Sequence, residues 1–347
     1  MSAQMTIALD AMGGDKAPAI VVKGANIARQ RHPEARFVFY GRQAEIEPLL
    51  AKLERLAEVC EIVHTDERVA ADAKPSVALR SGRKSSMRLA IDAVKAADAD
   101  AVVSAGNTGA LMAMSKLALR TLPGIDRPAI ASFFPTQRGE SVMLDLGANV
   151  QCDAGNLVDF AIMGRAFARA VLGLPRPTLA LLNVGSEEIK GHESIQEARA
   201  ILAQLDPEGF KGYVEGDDLA QGAVDVIVTD GFTGNIALKT AEGTAKLISA
   251  YLNRTFRSSL FASLGYLLAR QAMNKLRKRL DPRRYNGAVF LGLNGIVVKS
   301  HGGTDALGFA HAVSVAVDMV KHRVNETIAK DCAEATLAAG NVKAVAS

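Results

Sequence analysis

Short apolar runs along the chain end repeatedly in Gly-rich polar turns, and each turn leads into a stretch with helical spacing. The run at 7–9 (IAL) precedes DAMGGD at 10–15, 101–103 (AVV) precedes SAGNTG at 104–109, and 142–144 (VML) precedes DLGAN at 145–149. The same unit returns at 179–182 before NVGS, at 226–228 before TDGFTGN, and at 296–298 before KSHGGTD. A weaker strand is expected at 37–40, before Gly41. Runs that are apolar at consecutive positions suit strands buried on both faces, as in a parallel sheet covered by helices. Segments 157–172 and 194–205 carry the helical period. The pattern predicts a Rossmann-like, three-layer α/β/α fold around a mostly parallel sheet.

In such sheets the ligand sits beyond the carboxyl ends of the strands. All six turns are expected to lie at that same edge. Helix N-termini would then converge there and offer free N–H groups to an anion. Taken singly, each of these turns is ordinary turn chemistry; taken together they point to a phosphate-bearing ligand.

No linker or repeat divides the 347 residues. Residues 173–177 (GLPRP) read as an internal loop, 1–334 as one domain, and 335–347 as a loose tail. Aromatic residues make up 5% with no Trp, which argues against base-stacking and sugar-binding surfaces. Cys60, Cys152 and Cys332 form no CxxC, so neither a disulfide framework nor zinc is expected. Neither a leader nor an apolar span of the ~20 residues needed to cross a membrane is evident, and a cytoplasmic location follows as an expectation.

Several standard machines are missing. The sequence contains no GxGxxG, GxxxxGK[ST], GxSxG, HExxH or HxxxxD. No cofactor and no metal are expected. His301 and Asp305 form one local pair, which suits either a structural turn or a site wall. A substrate that is itself the nucleophile would suit such a chain, and inorganic phosphate fits. It requires charge neutralisation, orientation toward a carbonyl, and a donor for the developing oxyanion.

Read together, IALDAMGGD, SAGNTGALM, GIDRPA, LDLGAN, LLNVGSEEIKG and VTDGFTGNIALKT closely resemble the bacterial phosphate acyltransferase family over roughly residues 5–330. The resemblance implies transfer of a fatty acyl group from acyl carrier protein to inorganic phosphate, giving acyl phosphate for phospholipid synthesis. It also implies an isocitrate-dehydrogenase- or phosphotransacetylase-like fold, a homodimer, peripheral membrane association, and hand-over to a membrane acyl-phosphate:glycerol-3-phosphate acyltransferase. The family's catalytic lysine and asparagine fall on Lys190 and Asn235. Lys190 would hold phosphate, and the Asn235 amide would donate to the thioester oxygen. Taken without the resemblance, Lys190 suits a solvated turn and Asn235 a cap for a helix starting at Ile236. Asp10, Gly13, Gly14 and Asp15 would shape the opposite wall, the acidic groups orienting Lys190 or substrate. Ser104, Asn107, Thr108, Asn149, Thr233, Gly234 and His301 are further lining candidates. Alternatives are a phosphotransacetylase-like enzyme using acyl-CoA, a decarboxylating dehydrogenase of related architecture, and a non-catalytic membrane scaffold.

The net charge of +4 is unevenly spread. Lys246, Arg254, Arg257, Arg270, Lys275, Arg277, Lys278 and Arg279 lie in an acid-free segment at 243–280, which leaves the rest of the chain net acidic. Phe256, Leu260, Phe261, Leu264, Leu267 and Leu268 fall on one side of a helix at 100° per residue. A protruding helical hairpin over 245–285 is expected. It suits an ordinary packed pair, an interfacial contact with anionic lipid, or a docking surface for the acidic acyl carrier protein. The cations are confined to one amphipathic stretch, so nucleic-acid binding is not expected.

Overall fold

The computed structural model describes residues 4–279 and 282–345, with side-chain detail except at 276–279, 282, 284 and 336–345. Eleven strands form one sheet: β1 (Met5–Asp10), β2 (Ala35–Gly41), β3 (Cys60–His64), β4 (Ala101–Ser104), β5 (Ala129–Thr136), β6 (Gly139–Leu144), β7 (Leu179–Leu182), β8 (Phe210–Val214), β9 (Val226–Val228), β10 (Ala288–Leu291) and β11 (Ile296–Lys299). The helices are α1 (Ala19–Arg31), α2 (Gln43–Leu50), α3 (Glu54–Ala57), α4 (Pro75–Ser81), α5 (Ser86–Lys95), α6 (Thr108–Leu119), α7 (Ala154–Leu172), α8 (Glu193–Leu205), α9 (Asp218–Gln221), α10 (Gly231–Phe256), α11 (Leu260–Arg279), α12 (Ala306–Lys321) and α13 (Val324–Val345).

Both faces of the sheet are covered, as the unbroken apolar runs require. Ile7, Leu9, Val103, Val226 and Val298 pack on one side with α1, α7 and α12, for example against Ala25, Phe160 and Phe309. Ala8, Val102, Ile130, Ile227 and Val297 face the other side, where α5, α6 and α10 contribute Ile91, Leu111 and Leu238. The fold is therefore the expected three-layer α/β/α, and all six apolar-run units appear as strand, turn and helix.

The strand order is β3-β2-β1-β4-β11-β10-β5-β6-β9-β7-β8. Seven neighbouring pairs are parallel, but β11–β10, β10–β5 and β5–β6 are antiparallel. This corrects the expectation of a single shared edge. The turns after β1, β4 and β11 lie at one edge, and those after β6, β7 and β9 lie at the opposite edge. An odd number of reversals separates the two halves, and nothing in a buried apolar run encodes strand direction.

Two other expectations change. The tail expected to be loose continues α13 as a helix to Val345, in keeping with its Ala-rich composition; residues 346–347 lie outside the described residues. The amphipathic stretch is divided, with Phe256 ending α10 and α11 beginning at Leu260. No helix among the described residues is long and apolar enough to cross a membrane.

Candidate active site

At the β6–β9–β7 edge the organising group is Asp145, buried at the end of β6. Its Oδ1 accepts from the backbone N–H groups of Ile130 (2.9 Å), Gly147 (3.2 Å) and Ala148 (3.0 Å). Its Oδ2 accepts from Asn149 N (2.7 Å) and Nδ2 (2.9 Å). Burial pushes the Asp145 pKa up, and the bonds from Ala148, Ile130 and Asn149 pull it back. Asn149, expected to line the site, spends its amide on Asp145 and on Pro128 O (2.8 Å), so its side chain holds the turn.

The turn in turn seats α10. Gly231 N donates to Asn149 O at 2.7 Å. Asp230 caps the helix, accepting from Thr233 N (2.9 Å) and Thr233 Oγ1 (2.7 Å). Asn235 is therefore inside the helix and is not its cap. Its Nδ2 donates to Leu146 O at 3.0 Å, and the residue is otherwise exposed. Gly147 has φ +128, and a Cβ there would stand 3.0 Å from Asn235 Nδ2, so the close approach depends on glycine. Lys190 is exposed on the β7–α8 loop, whose shape is held by Asn183 Nδ2 donating to Gly185 O (3.2 Å) and Lys190 O (3.1 Å). A cavity of about 430 Å³ opens at this edge between Cys152, His192, Thr229, Asp230, Phe232 and Thr233. Burial pushes the Cys152 thiol up to about 12, which disfavours its thiolate form.

At the β1–β4–β11 edge, Asp10 is fully buried. Its carboxylate accepts from Ser86 Oγ (2.6 Å), Ser104 Oγ (2.6 Å) and Met12 N (3.3 Å). Burial pushes its pKa up, with the two serines opposing. Asp10 makes no bond to Lys190, which belongs to the opposite edge because of the strand reversal. A Cβ at Gly13 would sit 2.7 Å from Gly106 N, and one at Gly14 would sit 3.1 Å from Gly302 O, so the three turns meet closely. Asp15 N donates to Gly302 O at 3.0 Å, while the Asp15 side chain is exposed. Asn107 caps α6 through Ala110 N (2.9 Å) and ties down Ala71 O (2.7 Å), and Thr108 is exposed beside it. His301 is held by its backbone N–H to Asn286 Oδ1 (2.8 Å), and its Nδ1 accepts from Gly303 N (3.1 Å). The candidates thus form two groups. Asp145, Ser86 and Lys299 lay unassigned in the sequence; Lys299, ending an apolar strand inside the KSHGGTD turn, was the most visible signal.

The hairpin carries an exposed apolar face. Leu260, Phe261 and Leu268 are 89%, 86% and 83% exposed, and Leu264 and Leu267 are exposed too. Phe256 instead packs on Tyr266, with ring centroids 5.3 Å apart. Arg270 and Lys275 are exposed, while the side chains of Arg277, Lys278 and Arg279 lie outside the described residues. Among the described residues no cluster of His, Cys, Asp or Glu suits a metal ion.

The fold is that of the phosphotransacetylases. A phosphotransacetylase from Streptococcus pyogenes matches with TM-score 0.63 at 18% identity, over 92% of this chain and 94% of that one. A branched-chain phosphotransacylase from Enterococcus faecalis matches with TM-score 0.55 at 14% identity, over 91% and 99%. At these identities the likeness speaks for the fold alone. The family model described as "Fatty acid synthesis protein" matches residues 5–327. A protein of Rhodospirillum centenum named "Phosphate acyltransferase" is 67% identical over 334 residues, 96% of this chain and 94% of the relative. One of the same name from Rhodospirillum rubrum is 60% identical over 335 residues, 96% of each. The chain belongs to this family and is an acyltransferase.

Gly234 gives a test of how α10 is seated. Helix propensity alone would make Gly234→Ala stabilising by about 1 kcal/mol. A Cβ there, however, would stand 2.0 Å from Asp145 O, whereas at Gly243 on the same helix it would meet nothing within 4 Å. Gly234→Ala is expected to lower stability by about 1–3 kcal/mol and Gly243→Ala to hold or raise it, as read from thermal melts of both.

Proposed function

We propose that the enzyme transfers a fatty acyl group from acyl carrier protein to inorganic phosphate. A phosphate oxygen attacks the thioester carbonyl carbon, the C–O bond forms, and the C–S bond breaks. The carrier's thiol leaves with the proton that phosphate gives up. No acyl-enzyme is needed, in keeping with the half-buried thiol of Cys152, whose pKa burial raises. The observation that carries this function is the seating of Asn235. One amide hydrogen is spent on Leu146 O, which fixes the side chain, and on this exposed residue the second would meet an oxyanion. Lys190, exposed on the neighbouring loop, supplies a mobile point charge for phosphate.

The hairpin is the membrane contact in this scheme. Leu260, Phe261 and Leu268 enter the headgroup region, while Arg270 and Lys275 meet anionic lipid. A surface contact of this kind suits an enzyme whose product carries an acyl chain and passes to a membrane acyltransferase. Exposed Leu247, Ile248 and Tyr251 on α10 give a second copy something to cover, so a homodimeric mass is expected in light scattering and a monomeric one would rule it out.

Acyl phosphate trapped as hydroxamate should appear with acyl carrier protein thioester plus phosphate. Lys190→Ala and Asn235→Ala should each lower the rate about 10²–10³-fold, the usual cost of losing one oxyanion donor or its partner. Product formed only with acyl-CoA would favour the coenzyme-using alternative, and full activity in both variants would remove the pair from the site. Leu260→Glu combined with Leu264→Glu should release the protein from phosphatidylglycerol vesicles in co-sedimentation; unchanged binding would end the membrane assignment.

A further inference from the structure

The cavity at the β6–β9–β7 edge has a floor unlike its mouth. Its buried lining consists of Leu157 of α7, Leu181 and Leu182 ending β7, Val228 ending β9, and Thr229 just after it. Thr229 spends its N–H on Leu144 O (2.7 Å) and its C=O on Asp145 N (3.0 Å). Its hydroxyl is therefore the one polar side-chain group in an otherwise aliphatic floor. The other polar lining residues, Gln151, His192, Ser194, Asp230 and Thr233, are exposed or half-buried and stand toward the mouth.

Phosphate has little to hold it inside: no Lys or Arg lines the cavity, and Asp230 does. A pantetheine arm would bury its amides against a floor that supplies one hydroxyl, which is costly. An alkyl chain suits such a floor, and a volume of about 430 Å³ lies within the range of ligand pockets. The mouth points the same way. Val150 and Phe232 line it and are exposed, and on the loop from Leu182 to His192 the side chains of Val184 and Ile189 are 80% and 82% exposed. Apolar groups held in water around an opening mark where an apolar ligand enters. Both catalytic candidates flank this opening. Asn235 follows Phe232 by three positions on α10, which makes them surface neighbours, and Lys190 precedes His192 by two.

We propose that this cavity receives the methyl end of the fatty acyl chain, which enters past Phe232 while the thioester stays at the mouth beside Asn235. Ile195, half-buried in the first turn of α8, forms a side wall and with the floor sets how long a chain fits. That the occupant is an acyl chain rests on the acyl transfer proposed above, but the affinity of the cavity for an alkyl chain is measurable without turnover.

The full-length protein is titrated with cis-parinaric acid, a fluorescent long-chain fatty acid, with no membrane present. Each methylene kept out of an apolar cavity costs about fourfold in affinity, so two suffice for about tenfold. Ile195→Trp, which fills the cavity from its wall, should therefore weaken binding about tenfold or more, and Ile195→Val should bind as the wild type does. In turnover, Ile195→Trp should lower kcat/KM for the palmitoyl carrier thioester by a similar factor, spare the octanoyl one, and leave the KM for phosphate unmoved. Should Ile195→Trp not fold, Phe232→Ser at the exposed mouth decides by the same titration, with a severalfold loss expected. Unchanged parinarate affinity and chain-length preference in Ile195→Trp, with acyl phosphate still formed, overturns the cavity assignment and leaves the reaction standing. Loss of parinarate binding in the Leu260→Glu, Leu264→Glu protein with none in Ile195→Trp places the chain on the hairpin and overturns it too. Parinarate binding that depends on Ile195 in a protein making no acyl phosphate upholds the cavity and removes the reaction.

Discussion

The antiparallel pairing of β5 with β6, together with the two reversals across β10, turns the sheet over at its centre. β6, β7 and β9 consequently deliver their loops to one edge, and β1, β4 and β11 deliver theirs to the other. A site drawing on both groups of turns needs an element that crosses the sheet. α10 starts beside Asp145 at one edge and packs over β5 and β6, where the sheet changes direction. Sheet direction thereby governs which side chains can share a substrate.

Each edge is organised around a buried carboxylate. A buried charge is costly unless it is hydrogen-bonded, and both are well supplied. Asp145 gathers backbone N–H groups from β5 and from its own turn, and thereby fixes the surface on which Gly231, Gly234 and Asn235 sit. Asp10 gathers two serine hydroxyls from different elements and so ties its own turn to the one after β4, while Asp15 N on Gly302 O adds the turn after β11. Neither carboxylate is placed to do chemistry on substrate. Their work is to make the loops rigid enough that an exposed amide and a few lysines keep their positions.

The length of α10 links chemistry to surface. Its 26 residues span about 39 Å, so one end sits beside Asp145 and the other carries the hairpin with its apolar α11 face. Much of its far half is exposed.

By itself the sequence determined the layer order, the six strand–turn–helix units and the chemistry of each turn. These follow from local facts: consecutive apolar residues, glycines and capping groups act within a few residues of one another. It also carried the hairpin, because an acid-free amphipathic stretch is visible at any range. The family entered through motif order and not through periodicity. Strand direction, and with it the division of the candidate residues into two edges, was decided by tertiary structure. β10 and β5 pair with each other from far apart in sequence, although each also forms a hairpin with the strand that follows it, and a buried strand reads the same in either direction. The roles of Asn149 as a turn-holder, of Asp145 as its anchor and of Lys299 as a buried cation were likewise fixed only by packing. Burial and the supply of hydrogen-bond partners depend on elements that the local pattern around each residue cannot show.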